Sequence, residues 1–481
     1  MLLFLINFIL LEPNPRPVTA GKPEINYLMK KKFIILITFC SLFIVKANAK
    51  TYFVATTGND LTNTGTIDSP FATIIFAQKA VLPGDTVYIR GGNYIMAENQ
   101  IMRKQRIWAI MHLLDKSGEP GKRINYWAYP GEKPVIDMTN VKPFNQRVMA
   151  FNVTGSLIHI KGLEVIGTQV TMKGHTQSEC FHNEGSHNIY EQLAMHDGQA
   201  IGFYLIKGSD NLILNCDAYR NWDYTSEGGR GGNTDGFGCH PQVGDTGNVF
   251  RACRAWLNSD DGYDCIRASE SILFDHCWAF YNGFSTGYTS HGDGNGFKMG
   301  GYGQAPIVSY LPNPIPSFTI QFCLSFRNKA NGFYANHHVE SGSKWYNNTA
   351  YRNTVNFNML SQRISKSSKT DKDTTLDCPG LNHILKNNLS VKYLSQRDTL
   401  NLGRSTNVFN SFTSGLGIVV DETDFISLDE TELLAERHKD GSLPEINFLR
   451  PKVTSDLIDK GINLGFSYHG KAPDLGAFET K

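Results

Sequence analysis

Hydrophobic and polar residues alternate in short runs along most of this chain, with a period that suits β-strands rather than helices. From Ile124 onward, runs rich in β-branched and aromatic residues are separated by Gly, Asn and Asp, and no helical pattern lasts for more than a few turns. Residues 156–167 and 188–195 are clear examples. The pattern predicts an all-β molecule made of short strands.

A six-residue phrase recurs five times between residues 202 and 358. The phrase has Ala or Ser third, an aromatic residue fourth and Asn sixth, and its copies begin at Cys216, Cys253, Cys277, Cys323 and Asn348. Successive copies start 37, 24, 46 and 25 residues apart, which indicates a period near 24 with two coils enlarged by loops. Such self-similarity is typical of repeats that stack to bury a continuous core. We therefore expect a right-handed parallel β-helix with inserted loops.

The phrase also predicts what lies inside the coils. Its first position would stack four small thiol side chains on one another, which favours buried free cysteines over disulfides. Its last position would form a ladder of side-chain amides that bond to neighbouring backbones. The ladder would consist of Asn221, Asn258, Asn282, Asn328 and Asn353.

The two ends of the solenoid have different patterns. Residues 71–81 have helical spacing between two strand-like runs, which predicts an N-terminal capping helix. Residues 361–377 are mostly polar and predict a surface loop, and 381–391 resume a strand-like alternation. We expect residues 456–461 and 474–479 to form a closing coil.

The first 49 residues differ from the rest. Three lysines follow Met29, residues 33–45 are apolar, and the small residues at 47–49 suit a cleavage site. We interpret residues 1–49 as an N-terminal extension and signal peptide that is removed. Residues 50–481 would then be a single β-helix domain, exported to the periplasm or beyond the cell.

The charge balance restricts the class of partner. The chain has 46 basic and 45 acidic residues, and without residues 1–49, which hold six basic and two acidic ones, the balance is 40 against 43, about −3. A nucleic-acid partner normally requires a strong basic excess, so we do not expect one. No apolar run after residue 49 approaches the ~18 residues that a membrane span needs. We expect a monomer without a membrane span.

A second phrase, made of Asp or Asn, Gly, an aromatic residue and a variable residue, runs in step with the first. Its copies begin at Asp235, Asp261, Asn295 and Asn331. If the coils stack, the aromatic residue points inward and the fourth residue points outward. Asp264 and Lys298 would then occupy equivalent positions on adjacent coils, about 4.8 Å apart.

Four aspartates in and beside this phrase would share one surface: Asp235, Asp260, Asp261 and Asp264. Carboxylates this close raise one another's pKa unless a cation compensates their charge. Ca²⁺ accepts about six to eight oxygen ligands in a tolerant geometry, so the cluster predicts a calcium site that water or substrate completes. The alternative is that each aspartate only satisfies turn backbone.

Lys298 stands where the sister coils have Gly, Asp or Tyr. A divalent cation nearby lowers the pKa of a lysine, so that the free amine can act as a general base, whereas a carboxylate such as Asp264 acts in the opposite direction. The sequence therefore predicts calcium-dependent proton abstraction by Lys298 that is favoured at alkaline pH. A solvated surface lysine is the alternative.

Together these motifs resemble polysaccharide lyase family 9, parallel β-helix enzymes that split pectic polysaccharides. The resemblance extends from residue 51 to residue 479 and rests on Asn-Thr-Asp235-Gly-Phe, Asn-Ser-Asp260-Asp261-Gly-Tyr-Asp264 and Gly-Asn-Gly-Phe-Lys298. It implies calcium bound by the four aspartates and removal of the C5 proton of a galacturonate by Lys298. The C4 oxygen would then leave, with formation of a C4=C5 double bond.

Residues near these motifs are candidates for substrate contacts. Arg230 and Arg267 would bind carboxylates of neighbouring sugars. His291 and Tyr288 would contact the substrate, and either of them, His240 or water would protonate the leaving oxygen. The slightly acidic balance and the aromatic loops favour rhamnogalacturonan I over polygalacturonate as the pectic substrate.

Two other functions stay open at this point. A resemblance to glycoside hydrolase family 28, the polygalacturonases, rests on Asn-Thr-Asp235, Asp260-Asp261 and His291-Gly. That family's Arg-x-Lys substrate clamp has no match at a suitable place after His291, and Lys298 would have no role in hydrolysis. The third alternative is a carbohydrate-binding β-helix without catalysis.

Overall fold

The chain winds into a right-handed parallel β-helix, which confirms the predicted fold class. The computed structural model describes residues 49–302, 311–366 and 373–480. Each coil passes through three sheets in turn, and equivalent strands of successive coils pair in parallel. The predicted signal peptide lies, apart from Ala49, outside the described residues.

Three long sheets form the walls of the solenoid. Sheet 1 has twelve strands, in spatial order Thr51–Val54, Thr86–Ile89, Ile124–Ala128, Ile158–Lys161, Ile189–Glu191, Leu212–Leu214, Asn248–Arg251, Ile272–Asp275, Thr319–Gln321, Lys344–Tyr346, Leu381–Lys386 and Arg404–Val408. Sheet 2 has ten: Gly92–Ile95, Pro134–Asp137, Glu164–Ile166, Ala194–His196, Asp217–Tyr219, Arg254–Trp256, Trp278–Phe280, Leu324–Phe326, Thr349–Tyr351 and Leu389–Val391. Sheet 3 has eleven: Arg103–Gln105, Trp108–Leu114, Arg147–Val153, Ser178–Asn183, Ala200–Leu205, Phe237–Cys239, Tyr263–Asp264, Phe297–Lys298, Asn331–Tyr334, Val355–Asn358 and Arg397–Leu400.

Side chains that point inward stack on their counterparts in the next coil. The ring centroids of Tyr263 and Phe297 are 4.7 Å apart, and those of Phe333 and Phe357 are 4.9 Å apart. The eight cysteines of the described residues are all free and buried, which confirms the interpretation of the repeated thiols. Because each coil buries the face of its neighbour, the core extends along the axis.

The predicted amide ladder runs along the turn between sheets 2 and 3. Nδ2 of Asn258 donates to Oδ1 of Asn282 at 3.1 Å, and Nδ2 of Asn282 donates to Oδ1 of Asn328 at 2.9 Å. The backbone N of Asn282 donates to the same Asn328 oxygen at 3.1 Å. Asn221 and Asn353 continue the ladder at its two ends, so the prediction is confirmed.

A helix covers the N-terminal end of the stack, as predicted. Helix α1 spans Ile74–Ala80 and begins after Thr73, whose Oγ1 accepts a hydrogen bond from the backbone N of Phe76 at 3.1 Å. On its buried face, Gln78 accepts a hydrogen bond from the hydroxyl of Tyr126 in sheet 1. In the described part of the chain, no helix is both long and apolar enough to cross a membrane. Short 3-10 helices span Glu98–Gln100, Ser226–Gly229, Glu422–Asp424 and Glu430–Leu434.

The prediction of a surface loop at residues 361–377 is wrong for 361–366 and 373–377, which lie in strands, and residues 367–372 lie outside the described residues. Ser361–Lys366 pairs antiparallel with Asp373–Cys378 and parallel with His338–Val339, which makes a small three-stranded sheet. Most side chains of its antiparallel pair are polar and not buried. Backbone pairing forms these strands without a buried face, so the sequence lacks the alternation that normally indicates a strand.

The predicted closing coil is also wrong, because the residues after the last strand pack across the outside of sheet 2. Residues 409–480 contain no β-strand, yet Phe448 is fully buried and its ring lies 5.0 Å from that of Phe326 in sheet 2. Asp217 of sheet 2 forms an ion pair with Arg437 of this segment at 2.7 Å. The C-terminal segment therefore covers the outer surface of sheet 2 and does not cover that of sheet 3.

Candidate active site

Two adjacent strands of sheet 3, Tyr263–Asp264 and Phe297–Lys298, form the centre of the candidate site. Asp264 and Lys298 are direct register partners, as the second phrase predicts. The residues before them face the other way, since the rings of Tyr263 and Phe297 stack in the core. Alternation along each strand therefore directs Asp264 and Lys298 to the outer surface.

The glycine of the second phrase packs against the first phrase. A Cβ at Gly236 would lie 2.8 Å from Cβ of Ala255 and 2.9 Å from Nδ2 of Asn258. Only glycine lets the backbone come this close to the amide ladder of the next coil. The two phrases are thus parts of one packing arrangement, and that arrangement fixes the position of Asp235 just before the glycine.

The structure brings the four predicted metal ligands into two overlapping groups. Oxygen atoms of Asp235, Asp261 and Asp264 lie within 4.8 Å of one another, and all three residues are buried. Asp260 and Asp261 form a second group with Asp293, whose side chain is 69% exposed. Asp293 is therefore an acidic residue of the site that the sequence motifs did not indicate.

Asp261 accepts hydrogen bonds from the next coil, and these bonds do not require its negative charge. Its Oδ1 accepts hydrogen bonds from the backbone N of Asn295 at 2.5 Å and from Nδ2 of Asn295 at 2.8 Å. One coil later, Oδ1 of Asn295 accepts from Asn331 in the same way. An asparagine accepts the same hydrogen bonds in the next coil, so these bonds do not require the negative charge of Asp261. That charge is available for a ligand or a cation.

The ammonium group of Lys298 lies among these carboxylates. Its Nζ is 2.9 Å from Oδ2 of Asp261, 3.4 Å from Oδ2 of Asp264 and 3.2 Å from Oδ2 of Asp293. The lysine side chain is only 9% exposed. A lysine with this burial and this number of acidic contacts is not an ordinary solvated surface residue.

The electrostatics of the site follow from burial and from like charges. Burial and the neighbouring carboxylates raise the pKa of Asp235 and Asp260 well above its usual range. Burial also raises the pKa of Asp261, although Lys298 acts against it. Burial alone would lower the pKa of Lys298, but the surrounding carboxylates outweigh burial and raise it well above its usual value.

A loop at residues 283–294 brings Asp293 to the site. At Gly292, where φ is +21°, a Cβ would lie 2.4 Å from the carbonyl oxygen of Ser259, so the close approach requires glycine. The backbone N of Asp293 donates to Oδ1 of Asp260 at 2.6 Å. Residues 222–234 form a loop at the same turn two coils earlier, but Asp293 lies outside both repeated phrases. The Gly-Asp-Gly sequence around Asp293 is the one hint that the sequence offers.

Three of the predicted substrate-binding residues lie on segments beside the carboxylates. Arg230 is exposed. Its carbonyl oxygen accepts a hydrogen bond from the backbone N of Gly292 at 3.0 Å. The ring of His291 stacks on that of Trp222 at 4.5 Å, and its buried Nε2 has no hydrogen-bond partner within the described residues. Arg267 is exposed on the turn that follows Asp264 in the chain, after the strand ends.

Tyr288 lies in a different place. Its ring packs edge-on against that of Tyr281 at 5.2 Å, in a cavity of about 550 Å³ at the turn between sheets 2 and 3, which we call the corner cavity. The corner cavity is lined by Tyr281, Phe284, Tyr288, Arg327, Asn328, Lys329, Arg352, Thr354 and Glu430. These lining residues include neither Lys298 nor any of the four clustered aspartates.

Tyr204 and His240 adjoin the site. His240 is one of the candidates to protonate the leaving oxygen, whereas the motifs did not indicate Tyr204. A Cβ at Gly238, the register partner of Asp264, would lie 2.4 Å from Cδ2 of Tyr204 and 3.4 Å from Nε2 of His240. Nδ1 of His240 lies 2.8 Å from the carbonyl oxygen of Ile266, which assigns the proton to Nδ1 and leaves Nε2 as an acceptor. These two side chains extend the outer surface of sheet 3 beyond Asp264.

The donor set of this cluster fits a calcium ion. All its acidic groups are carboxylates, the hard oxygen ligands that Ca²⁺ prefers. Three of them are buried within 4.8 Å of one another, and burial, followed by the neighbouring carboxylates, raises the pKa of Asp235 and Asp260 although Lys298 acts against it. A divalent cation would supply the missing charge.

Known proteins resemble this chain in both sequence and structure. The family model described as Pel9A-like, right handed beta helix region, matches residues 52–382. Pectate lyase L of Dickeya chrysanthemi is 33% identical over 435 residues, which cover 89% of this chain and 90% of that protein. Among solved structures, a rhamnogalacturonan lyase is 43% identical with a TM-score of 0.79, over 84% of this chain and 97% of that one. Pectate lyase Pel9A is 29% identical with a TM-score of 0.70, over 90% and 96%.

These similarities extend over the same coils that carry the carboxylates and Lys298. They confirm the predicted family and favour a lyase over the polygalacturonase and non-catalytic alternatives. The chain belongs to the Pel9A-like right-handed β-helix family, polysaccharide lyase family 9, and is a pectic polysaccharide lyase.

Proposed function

We propose that this lyase is a calcium-dependent rhamnogalacturonan lyase, which cleaves the galacturonate-containing backbone of rhamnogalacturonan I by β-elimination. The observation that carries the proposal is the burial of the Lys298 ammonium against Asp261 among the clustered carboxylates. Identity of 43% to a solved rhamnogalacturonan lyase, against 29% to Pel9A, supports this polymer over polygalacturonate.

The calcium ion would be held by Asp235, Asp260, Asp261 and Asp264. Bound there, Ca²⁺ supplies positive charge that stabilises the negative charge developing on the substrate carboxyl group as the C5 proton leaves. Without a cation, the negative charge of the aspartates would repel an acidic sugar at the outer surface of sheet 3. Removal of calcium should therefore remove activity while leaving the fold in place.

Lys298 would act as the general base. Its Nζ takes the proton from C5, the electron pair of the C5–H bond forms the C4=C5 double bond, and the C4–O bond breaks with its electrons on the leaving oxygen, which takes up a proton from water. Only the uncharged amine can accept the C5 proton. The carboxylates raise the pKa of Lys298 and bound Ca²⁺ would act against them, and the protonated fraction falls as the pH rises, so the reaction should be faster at alkaline pH.

Side chains around the centre would hold the sugars next to the cleaved bond. We propose that Arg230 and Arg267 pair with carboxylates of neighbouring galacturonates, since both are exposed on segments beside the site. Nε2 of His291, which has no partner among the described residues, and Nε2 of His240 are suited to sugar hydroxyls. Tyr204 would provide a further surface for the saccharide on the Gly238 side of the centre.

We also propose that residues 50–481 are the mature catalytic domain and that residues 1–49 are removed during export. The first strand, Thr51–Val54, begins directly after the expected cleavage site, which supports this boundary. An exported enzyme would meet its polymeric substrate outside the cytoplasm.

The proposal is tested by incubating the purified protein with rhamnogalacturonan I and with polygalacturonate, each with added Ca²⁺ and with a chelator. The expected result is an ultraviolet-absorbing unsaturated product from rhamnogalacturonan I, lost with the chelator and restored by excess Ca²⁺. New reducing ends without the unsaturated product would contradict elimination. Faster reaction with polygalacturonate would contradict the substrate.

A further inference from the structure

The corner cavity lies at the turn between sheets 2 and 3, beside the 283–294 loop. Tyr281, Arg327 and Arg352 each come directly after a strand of sheet 2, whereas Lys298 is in sheet 3. The volume of about 550 Å³ is in the range of about 300–1,000 Å³ that is usual for ligand sites. The cavity is thus large enough for a ligand and separate from the active site.

Aromatic rings form one wall of the corner cavity. Tyr288 is 60% exposed, although its ring packs edge-on against Tyr281 at 5.2 Å. Phe284 from the same loop also lines the cavity. Exposed aromatic rings of this kind provide flat apolar surfaces that suit the C–H faces of sugar rings.

Positive charge faces these rings. Arg327 pairs with Glu430 at 2.9 Å, and Arg352 pairs with Glu422 at 3.3 Å. Lys329 is a further cation in the lining. Nζ of Lys329 donates to the carbonyl oxygens of residues 291 and 292, both at 2.5 Å, and no carboxylate of the described residues forms an ion pair with it. The buried Nε of Arg352 has no hydrogen-bond partner within the described residues. Two of the three cations of the lining therefore have a carboxylate partner, and the charge of Lys329 has none among the described residues.

We propose that the corner cavity is a second saccharide site, which binds a uronate-containing segment of a pectic chain outside the active site. Sugar rings would stack on Tyr288 and Phe284, and a sugar carboxylate would pair with the ammonium group of Lys329. A neutral sugar would leave the charge of Lys329 without a carboxylate partner, so the charge favours acidic saccharides. The choice of a pectic ligand rests on the proposed function.

The site also adjoins the loop that reaches the active site. Lys329 holds the carbonyl groups of His291 and Gly292, and the next residue, Asp293, contacts Lys298 through its carboxylate. A long acidic polymer could therefore be held at the corner cavity while another part of it lies across sheet 3. Such a second contact would raise the effective concentration of the polymer at the active site.

The test uses the Lys298→Ala protein in chelator, so that no substrate is cleaved and no cation bridges the carboxylates. Saturated trigalacturonate is titrated by calorimetry, with the neutral trisaccharide maltotriose as the ligand control. We expect one bound trigalacturonate and no binding of maltotriose. Adding Tyr288→Ala should weaken binding about tenfold, whereas Tyr288→Phe should not weaken it, because the ring and not the hydroxyl makes the contact.

Tyr224→Ala is the matched control, because Tyr224 is 56% exposed and contacts Trp222 beside the active-site loop. Unchanged binding in this variant supports the assignment to the corner cavity. The proposal is overturned if trigalacturonate does not bind, if maltotriose binds equally, or if Tyr288→Ala leaves binding unchanged. Failure of the proposed function would appear separately, as a wild-type protein that cleaves neither pectic polymer.

Discussion

At the scale of single residues, the informative feature is charge that the fold does not require. Asp261 bonds to Asn295 as an asparagine would, and its second oxygen faces Lys298. The sequence could predict that Lys298 lies beside a carboxylate, because Asp264 and Lys298 stand at one position of a repeated phrase. It could not predict Asp293, because that residue lies in a loop outside both repeated phrases.

Replacement of Asp293 by Asn should shift the alkaline rise of kcat/KM towards lower pH. Oδ2 of Asp293 lies 3.2 Å from Nζ of Lys298 and stabilises the ammonium form. Loss of that charge lowers the pKa of Lys298, so more free amine is present at a given pH. The pH profile of product formation measures the effect. Asp68→Asn, at an exposed position of the N-terminal cap, is the control; an unchanged profile or a shift to higher pH would contradict the interpretation.

At the scale of elements, the packing between the two phrases explains why the coils were predictable. Gly236 must be glycine because Ala255 and Asn258 of the other phrase lie against it. A sequence that repeats both phrases therefore encodes the register of sheet 3 as well as the coil period. The small sheet formed by Ser361–Lys366 and Asp373–Cys378 has no such packing, and so its polar sequence was interpreted as a loop.

Replacement of Asn282 by Ala should destabilise the solenoid by about 2–4 kcal/mol, since several buried hydrogen bonds are lost at once. Asn282 donates to Asn328 and to the carbonyl oxygen of Ala255, and it accepts from Asn258. Chemical denaturation of the purified variant measures the change in the free energy of unfolding. Asn99→Ala, at an exposed position, should change it by no more than about 0.5 kcal/mol. Equal stability of the two variants would show that the ladder does not stabilise the fold.

At the scale of the whole molecule, the C-terminal segment divides the surface of the solenoid. It packs on sheet 2 through residues such as Phe448 and leaves sheet 3 as the wall that presents Lys298. This cover was not predictable, because residues 409–480 have no repeat phrase and no strand pattern, and their buried side chains contact positions far away in sequence. A pectic chain would therefore lie along sheet 3, with the corner cavity at its border.

The rate of unsaturated product formation from rhamnogalacturonan I by the Lys298→Ala protein, compared with the wild type in excess Ca²⁺, tests the role of the central lysine. If Lys298 is the base, the rate should fall by on the order of 10²–10⁴-fold, while Ca²⁺ still raises the melting temperature because the aspartates are intact. Wild-type turnover by Lys298→Ala, with Ca²⁺ binding retained, would show that another group removes the C5 proton.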